Sequence, residues 1–149
     1  MMEYEIVTME AVHVPQVAAL EKAVFPDPWS ERSVASELDN PLSLWLVAQA
    51  GDVVLGYVGS QSVMGEADMM NLAVAPAARR QGLARALVTA LIRGLTARGV
   101  HSLTLEVRAS NGPAKMLYES MGFVQVGRRP GYYLSPKEDG DILRKEWDL

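Results

Sequence analysis

Cysteine is absent from the 149 residues. That one absence excludes disulfide staples, thiolate metal ligands and a cysteine nucleophile together, and it fits a reducing compartment. Histidine is scarce: only His13 and His101 occur. Neither stands at the spacing of a Ser/His/Asp constellation or a metal-ligand set, so no metal is expected and both read as bland surface residues. No run approaches the roughly eighteen apolar residues of a membrane span, and no signal peptide is expected. Positive charge is not in excess either. Lys and Arg number 14 against 18 Asp and Glu, for a net charge of −4 and a pI near 5.2. This argues against nucleic acid as the main partner. The two common phosphate loops, Gly-x-x-x-x-Gly-Lys-Ser/Thr and Gly-x-Gly-x-x-Gly, are missing too.

What is present is apolar bulk. At 49% apolar residues over this length, the chain can bury one sizeable core. The expectation is a single domain over residues 1–149, soluble and cytoplasmic, a monomer or weak dimer, with no membrane or nucleic-acid partner.

The most informative stretch runs from Met69 to Leu95. Met69 to Val74 reads as a buried strand, which Ala75-Pro76-Ala77-Ala78 breaks. Arg79-Arg80-Gln81-Gly82-Leu83-Ala84 follows. A helical pattern then places Leu83, Leu87, Val88, Leu91, Ile92 and Leu95 on one stripe. Strand, tight loop and helix start is a geometry for binding a diphosphate. The first helical turn carries unpaired N–H groups and a partial positive charge. Gly82 and Ala84 keep bulk away from the backbone there, while Arg79, Arg80 and Arg85 add a positive rim. Arginines at a helix start oppose its dipole unless an anion sits among them.

The remaining elements follow from periodicity and turn chemistry. Strands are predicted over Glu3–Met9, Ser43–Ala50, Val53–Met64, Ala67–Val74, Ser102–Arg108, Phe123–Arg128 and Asp141–Trp147. Helices are predicted over Glu10–Phe25, Glu31–Leu38 (capped by Ser30), the Leu83 stripe and Asn111–Met121. Residues Gly131–Gly140 are expected to form a loop, with Lys137-Glu138-Asp139 a solvated run within it. The order β-α-α-β-β-β-α-β-α-β-β implies an α/β (α+β) fold, with a mixed central sheet of about seven strands and helices on both faces.

The motif Arg79-x-x-Gly82-x-Ala84 after a Leu-Ala-Val-x-Pro strand resembles the acyl-CoA signature of the GNAT (Gcn5-related) N-acetyltransferases. The GNAT fold has this element order. The resemblance implies acetyl-CoA as co-substrate and a splay between the fourth and fifth strands where the substrates meet. It also implies a bulge near Ala73-Val74 that frees backbone groups for the pantetheine arm and the oxyanion.

Acetyl transfer to an amine requires a proton acceptor, a donor for the developing oxyanion and help for the departing thiolate. In Leu103-Thr104-Leu105-Glu106-Val107-Arg108, Glu106 shares a strand face with Thr104 and Arg108. A carboxylate in a central strand is costly unless paired or functional. Glu106 is therefore either a partner of Arg108 or a general base whose pKa burial must raise. Tyr118, on the inner face of the short helix, is either a core tyrosine or a hydrogen-bond donor to the thioester sulfur. Asn111 either caps that helix or touches pantetheine.

The segments Leu105–Asn111 and Leu117–Phe123, with Phe25-Pro26-x-Pro28-Trp29-Ser30 and Arg129-x-x-Tyr132-Tyr133, are similar to the RimI branch of the GNATs. Members of that branch acetylate the N-terminal alanine of a small-subunit ribosomal protein. The resemblance implies Glu106 as base and Tyr118 as acid. It implies acetyl-CoA contacts from Leu72, Ala73, Val74, Arg79, Arg80, Gln81, Gly82, Leu83, Ala84, Arg85 and Asn111. Two departures stand out: Gly112-Pro113 stiffens the short helix start, and Ala84 replaces the usual second glycine of the loop. Trp29, Tyr132 and Tyr133 either wall the peptide site or pack loops on the core.

An α-amine, with pKa about 7.7–8.0, is roughly one-tenth neutral at pH 7, against under one-thousandth of a lysine at about 10.4. The gap is worth about 3.4 kcal/mol, so a modest glutamate suffices for an N-terminus. Acetylation of lysine or of a small amine remains the alternative. A non-catalytic acyl-CoA-binding module is a third reading.

Overall fold

The structure is a computed structural model, and it describes residues 3–148. Seven strands form one sheet in the order β1-β2-β3-β4-β5-β7-β6. They are β1 (Glu5–Thr8), β2 (Ser43–Ala50), β3 (Val53–Val63), β4 (Glu66–Val74), β5 (Ser102–Arg108), β6 (Val124–Leu134) and β7 (Lys137–Glu146). All neighbours are antiparallel except β4 and β5. The helices are α1 (Val14–Val24), α2 (Glu31–Ser36), α3 (Leu83–Ala97) and α4 (Gly112–Ser120).

Strand alternation sends two sets of side chains to two faces. Trp45, Val47, Tyr57 and Ala73 pack with Val14, Val17 and Leu20 of α1 and Val34 of α2. Leu44, Leu46, Leu55, Val58, Leu103, Leu105 and Val107 pack with the α3 stripe and with Tyr118 of α4. Leu83, Leu87, Val88, Leu91 and Leu95 of α3 are buried as the periodicity predicts. Each fully buried leucine contributes roughly 1.5–3 kcal/mol.

The two ends of the sheet are held differently. The last two strands are longer than predicted: residues 131–140 are not a loop, because β6 and β7 run on to a tight turn at Ser135-Pro136. Polar anchors extend the hairpin. Glu138 accepts from the Ser110 N–H at 2.7 Å and pairs with Arg108 at 3.3 Å, and Asp139 accepts from the Gly131 N–H at 2.8 Å. The Lys137–Asp139 run is therefore strand with two engaged carboxylates. At the other end, α1 is entered through a 3₁₀ turn, Ala11–His13, and a second, Glu37–Asp39, follows α2. His13 is buried rather than on the surface. It accepts from the Glu10 N–H at 2.9 Å and lies 2.8 Å from Gln49 Oε1. Ser30 caps α2 as expected, accepting from the Ser33 N–H at 3.1 Å.

Two irregularities in the pairing shape the centre of the sheet. The β3–β4 register slips between Gly59 and Ser60, leaving Met70 as the extra residue. The bulge thus lies at Met70, not at Ala73-Val74. Beside it on β3, Gly59 admits the Trp45 indole: a Cβ there would stand 2.3 Å from Trp45 Cε2. That ring is 3% exposed and held between Tyr57 and Trp29, at centroid distances of 5.8 and 5.3 Å. Gly59→Ala is expected to destabilise the fold by about 1–3 kcal/mol through overpacking. Urea unfolding tests this, and an unchanged midpoint would contradict the packing described.

Candidate active site

The second irregularity is between β4 and β5. Their pairing covers only Glu66–Asp68 with Ser102–Thr104. Beyond it the strands part, although β4 stays paired with β3 up to Val74 and β5 with β7 up to Arg108. The opening is therefore confined to one seam. Arg144 of β7 ties its closed end, reaching Glu66 at 2.7 Å and Thr104 at 3.2 Å.

The backbone along the open seam has free hydrogen-bonding capacity. The Ala75 N–H donates to Leu55 O at 2.8 Å, so odd residues at this end of β4 face β3. Alternation then turns the main-chain groups of Leu72 and Val74 toward β5, where no strand meets them. The donor expected near Ala73-Val74 thus resolves to these two residues.

Past Val74 the chain makes a 3₁₀ turn at Pro76–Ala78 and reaches α3 through two left-handed residues, Arg80 at φ +66° and Gly82 at φ +76°. A non-glycine residue at positive φ is uncommon and tends to mark a functional loop. Such alternations aim successive N–H groups into one concavity. The α3 ladder begins with the Ala86 N–H on Gly82 O, which leaves the amides before it open. Nothing lies within 4 Å of the space a Cβ on Gly82 would take. The loop thus fits a diphosphate, and the seam beside β4 fits an extended amide-bearing arm. The positive rim is partly engaged. Arg79 donates to Val74 O at 3.3 Å, and Arg85 bridges to Ser120 Oγ of α4 at 2.6 Å. Arg80 and Gln81 are exposed, Leu83 is buried and Ala84 is half-buried at the first helical turn.

Glu106 and Tyr118 approach the seam from opposite faces. Leu105 and Val107 point into the α3–α4 core, so Glu106 points to the face carrying α1 and α2. Its carboxylate does not pair with Arg108. It pairs with Arg129 of β6 at 3.1 Å, and the Glu106 side chain keeps 23% of its accessible surface. Burial of the carboxylate is thus partial. Arg108 is occupied elsewhere, donating to Pro136 O at 2.8 Å and lying 4.5 Å over the Tyr133 ring.

Tyr118 is buried on the α4 side, edge-on to Phe123 at 5.5 Å. Its hydroxyl has one neighbour of note, Met69 Sδ at 3.9 Å. Burial, and secondarily Tyr133, pushes its phenol up to about 12. The sign for stability follows. The unfolded chain releases this proton near pH 10 and the folded chain only near 12, so the contribution is complete below pH 10 and is lost on rising to 12. Wild-type protein is therefore expected to lose more thermal stability than Tyr118→Phe between pH 9 and 11.5. Parallel losses in the two proteins would contradict this burial.

The other expected site residues divide. Asn111 caps α4, accepting from the Ala114 N–H at 3.1 Å. Trp29 packs on Trp45 while its backbone N–H donates to Glu21 Oε1 at 2.9 Å. Tyr132 is exposed and edge-on to Tyr133 at 5.0 Å, on the hairpin that carries Arg129. Burial first, then Tyr132, raises the Tyr133 phenol to about 12.

Sequence reasoning missed Glu21 and Asn71. Glu21 is fully buried, and it also accepts from Tyr57 Oη and, at 2.7 Å, from Asn71 Nδ2 beside the bulge. Burial raises its carboxyl above the usual range, against the lowering effect of the Trp29 and Asn71 bonds. The available signal was a carboxylate on the apolar stripe of α1, next to Leu20 and four residues from Val17. Among the described residues, no group of three or more His, Asp or Glu is placed to hold a metal, and no helix is long and apolar enough to cross a membrane.

A sheet opened at one parallel seam, with a loop of open amides after β4 that fits a diphosphate, is the architecture of an acyl-CoA-dependent transferase. Residues 14–123 match the Acetyltransferase (GNAT) family, and the chain belongs to that family. It is 40% identical to the bS18-alanine N-acetyltransferase of Escherichia coli over 135 residues, covering 91% of this chain and 89% of that protein. Identity to the putative bS18-alanine N-acetyltransferase of Bacillus subtilis is 33%, over 91% of this chain and 90% of that one. The crystal structure of the Escherichia coli ribosomal-protein-S18-alanine N-acetyltransferase superposes with a TM-score of 0.90, at 36% identity, over 99% of this chain and 96% of that one.

Proposed function

We propose that this protein transfers the acetyl group of acetyl-CoA to the N-terminal α-amine of a ribosomal protein beginning with alanine, bS18. The observation that carries the proposal is the open β4–β5 seam, with a carboxylate on one face and a phenol on the other. The 40% identity to an enzyme named for this reaction supports the acceptor. The seam lets the acceptor approach from the α1–α2 face while the donor lies along the α3–α4 face. Its place of action is the cytoplasm, as a monomer or weak dimer.

Bound acetyl-CoA supplies an activated acyl group and a thiol leaving group. Amides of residues 80–85 hold the diphosphate, with Arg79, Arg80 and Gln81 at its rim. Leu72 and Val74 receive the pantetheine arm as an added strand edge, and one of their N–H groups faces the thioester oxygen. Glu106 takes the proton from the attacking amine, directly or through one water. Tyr118 donates a hydrogen bond to the sulfur. With its phenol at about 12 and a thiol at about 8.5, the proton need not leave the tyrosine. Trp29, Tyr132 and Tyr133 wall the acceptor side.

Intact-mass measurement tests the reaction. An alanine-initiated bS18 peptide incubated with enzyme and acetyl-CoA gains one acetyl group at its first residue. Acetylation of a lysine, or of polyamines in preference to the peptide, would move the assignment to another acceptor class.

A further inference from the structure

The carboxylate assigned as base is already holding a cation. Arg129 Nε stands 3.1 Å from Glu106 Oε1, yet the arginine side chain keeps 57% of its accessible surface. Its guanidinium also lies 5.7 Å from the Tyr132 ring. The segment that carries it is irregular. The β6–β7 register breaks between Arg129 and Tyr133, across Pro130 and Gly131, and Gly131 adopts φ +62°. Arg129 is thus an exposed side chain that meets a carboxylate and an aromatic face at once.

An α-amine is about nine-tenths protonated at pH 7. It arrives as an ammonium, attracted to the same carboxylate. Two cations on one half-buried carboxylate repel each other. The other nearby cation offers no alternative, since Arg108 is committed to Glu138 and Tyr133.

We propose that Arg129 is a placeholder for the acceptor's ammonium on Glu106, and that by competing for the carboxylate it lowers the site's affinity for the charged acceptor. It releases the carboxylate to a cationic primary amine and keeps its contact with the Tyr132 ring. An uncharged group gives it no reason to move. The acetylated product has lost its charge and does not compete for the carboxylate, so Arg129 returns to Glu106. The inference rests on the assignment of Glu106 as the base facing the acceptor.

Equilibrium binding separates the possibilities. The probes are an alanine-initiated bS18 peptide and its N-acetylated form, titrated at pH 7 into enzyme saturated with CoA, which binds without turnover. An exposed ion pair is worth little, so Arg129→Gln is expected to tighten the free-amine peptide about three- to fivefold. It leaves the acetylated peptide within about twofold, and Arg129→Lys keeps the wild-type preference. In a Glu106→Gln background the gain disappears. Weaker or unchanged binding of the amine peptide to Arg129→Gln overturns the proposal. So does an equal change for both peptides, which makes Arg129 a wall of the peptide site. If neither peptide binds wild-type enzyme, the acceptor assignment itself fails, and the placeholder fails with it.

Discussion

Glu106→Gln lowers kcat/KM for an alanine-initiated peptide by about 10²- to 10⁴-fold at pH 7, the span expected when a positioned general base is removed. Two contributions combine. At pH 7 roughly one α-amine in ten is neutral, so a base that only strips the ammonium in advance accounts for about tenfold. The rest is proton removal as the bond to the acyl carbon forms. The two parts separate by pH. The deficit shrinks about tenfold by pH 9, where the amine is already neutral, and the remainder persists. Affinity for acetyl-CoA stays within about twofold, because Glu106 faces away from the α3–α4 side where the donor lies. Steady-state kinetics at pH 7 and 9 check both points. Full recovery at pH 9 would reduce Glu106 to a passive acceptor of the ammonium proton. No loss at pH 7 would remove it from the reaction.

Tyr118→Phe is expected to lower kcat by about 10²-fold, comparable to deleting one preorganised donor from a dry site. The phenol is well suited to donate and poorly suited to ionise. It is buried, pushed up to about 12, and has only a weak sulfur acceptor beside it in Met69. A thiolate at the seam is a far better partner. The loss falls on kcat, with KM for both substrates within about threefold, since the bond strengthens only as the sulfur gains charge. A KM effect with unchanged kcat would make Tyr118 a packing residue of the α4 face.

Legibility from sequence followed the physics of each segment. The β2 and β5 spans, Ser43–Ala50 and Ser102–Arg108, were readable to the residue because a continuous apolar run in one and an alternating run in the other are bounded by turn residues. The α3 stripe and its Gly82 entry were readable for the same reason. The β6–β7 hairpin was not. Its sequence, Arg-Arg-Pro-Gly-Tyr-Tyr and then Lys-Glu-Asp-Gly, has no apolar alternation, and its pairing is held by Glu138, Asp139 and the buried Asp141 on Arg128 and Lys115. The bulge position is a matter of register across two strands, Gly59 with Asn71 and Ser60 with Met69, which leaves no mark in the local sequence. Glu106 and Arg108 share a strand face, so their pairing stood as the local alternative to a role as base. Only the register across β7 to β6 brings Arg129 to Glu106 instead. Chemistry-bearing residues were thus visible as types at spacings, while their partners were set by strand order.

The most direct measurement is a crystal structure with CoA and an alanine-initiated peptide bound together. The diphosphate is expected on the amides of residues 80–85, the sulfur in the β4–β5 opening within reach of the Tyr118 hydroxyl, and the peptide amine on the opposite face beside Glu106. A diphosphate bound away from the α3 entrance, or an amine entering from the α3–α4 face with Glu106 remote from it, would contradict the two-sided arrangement.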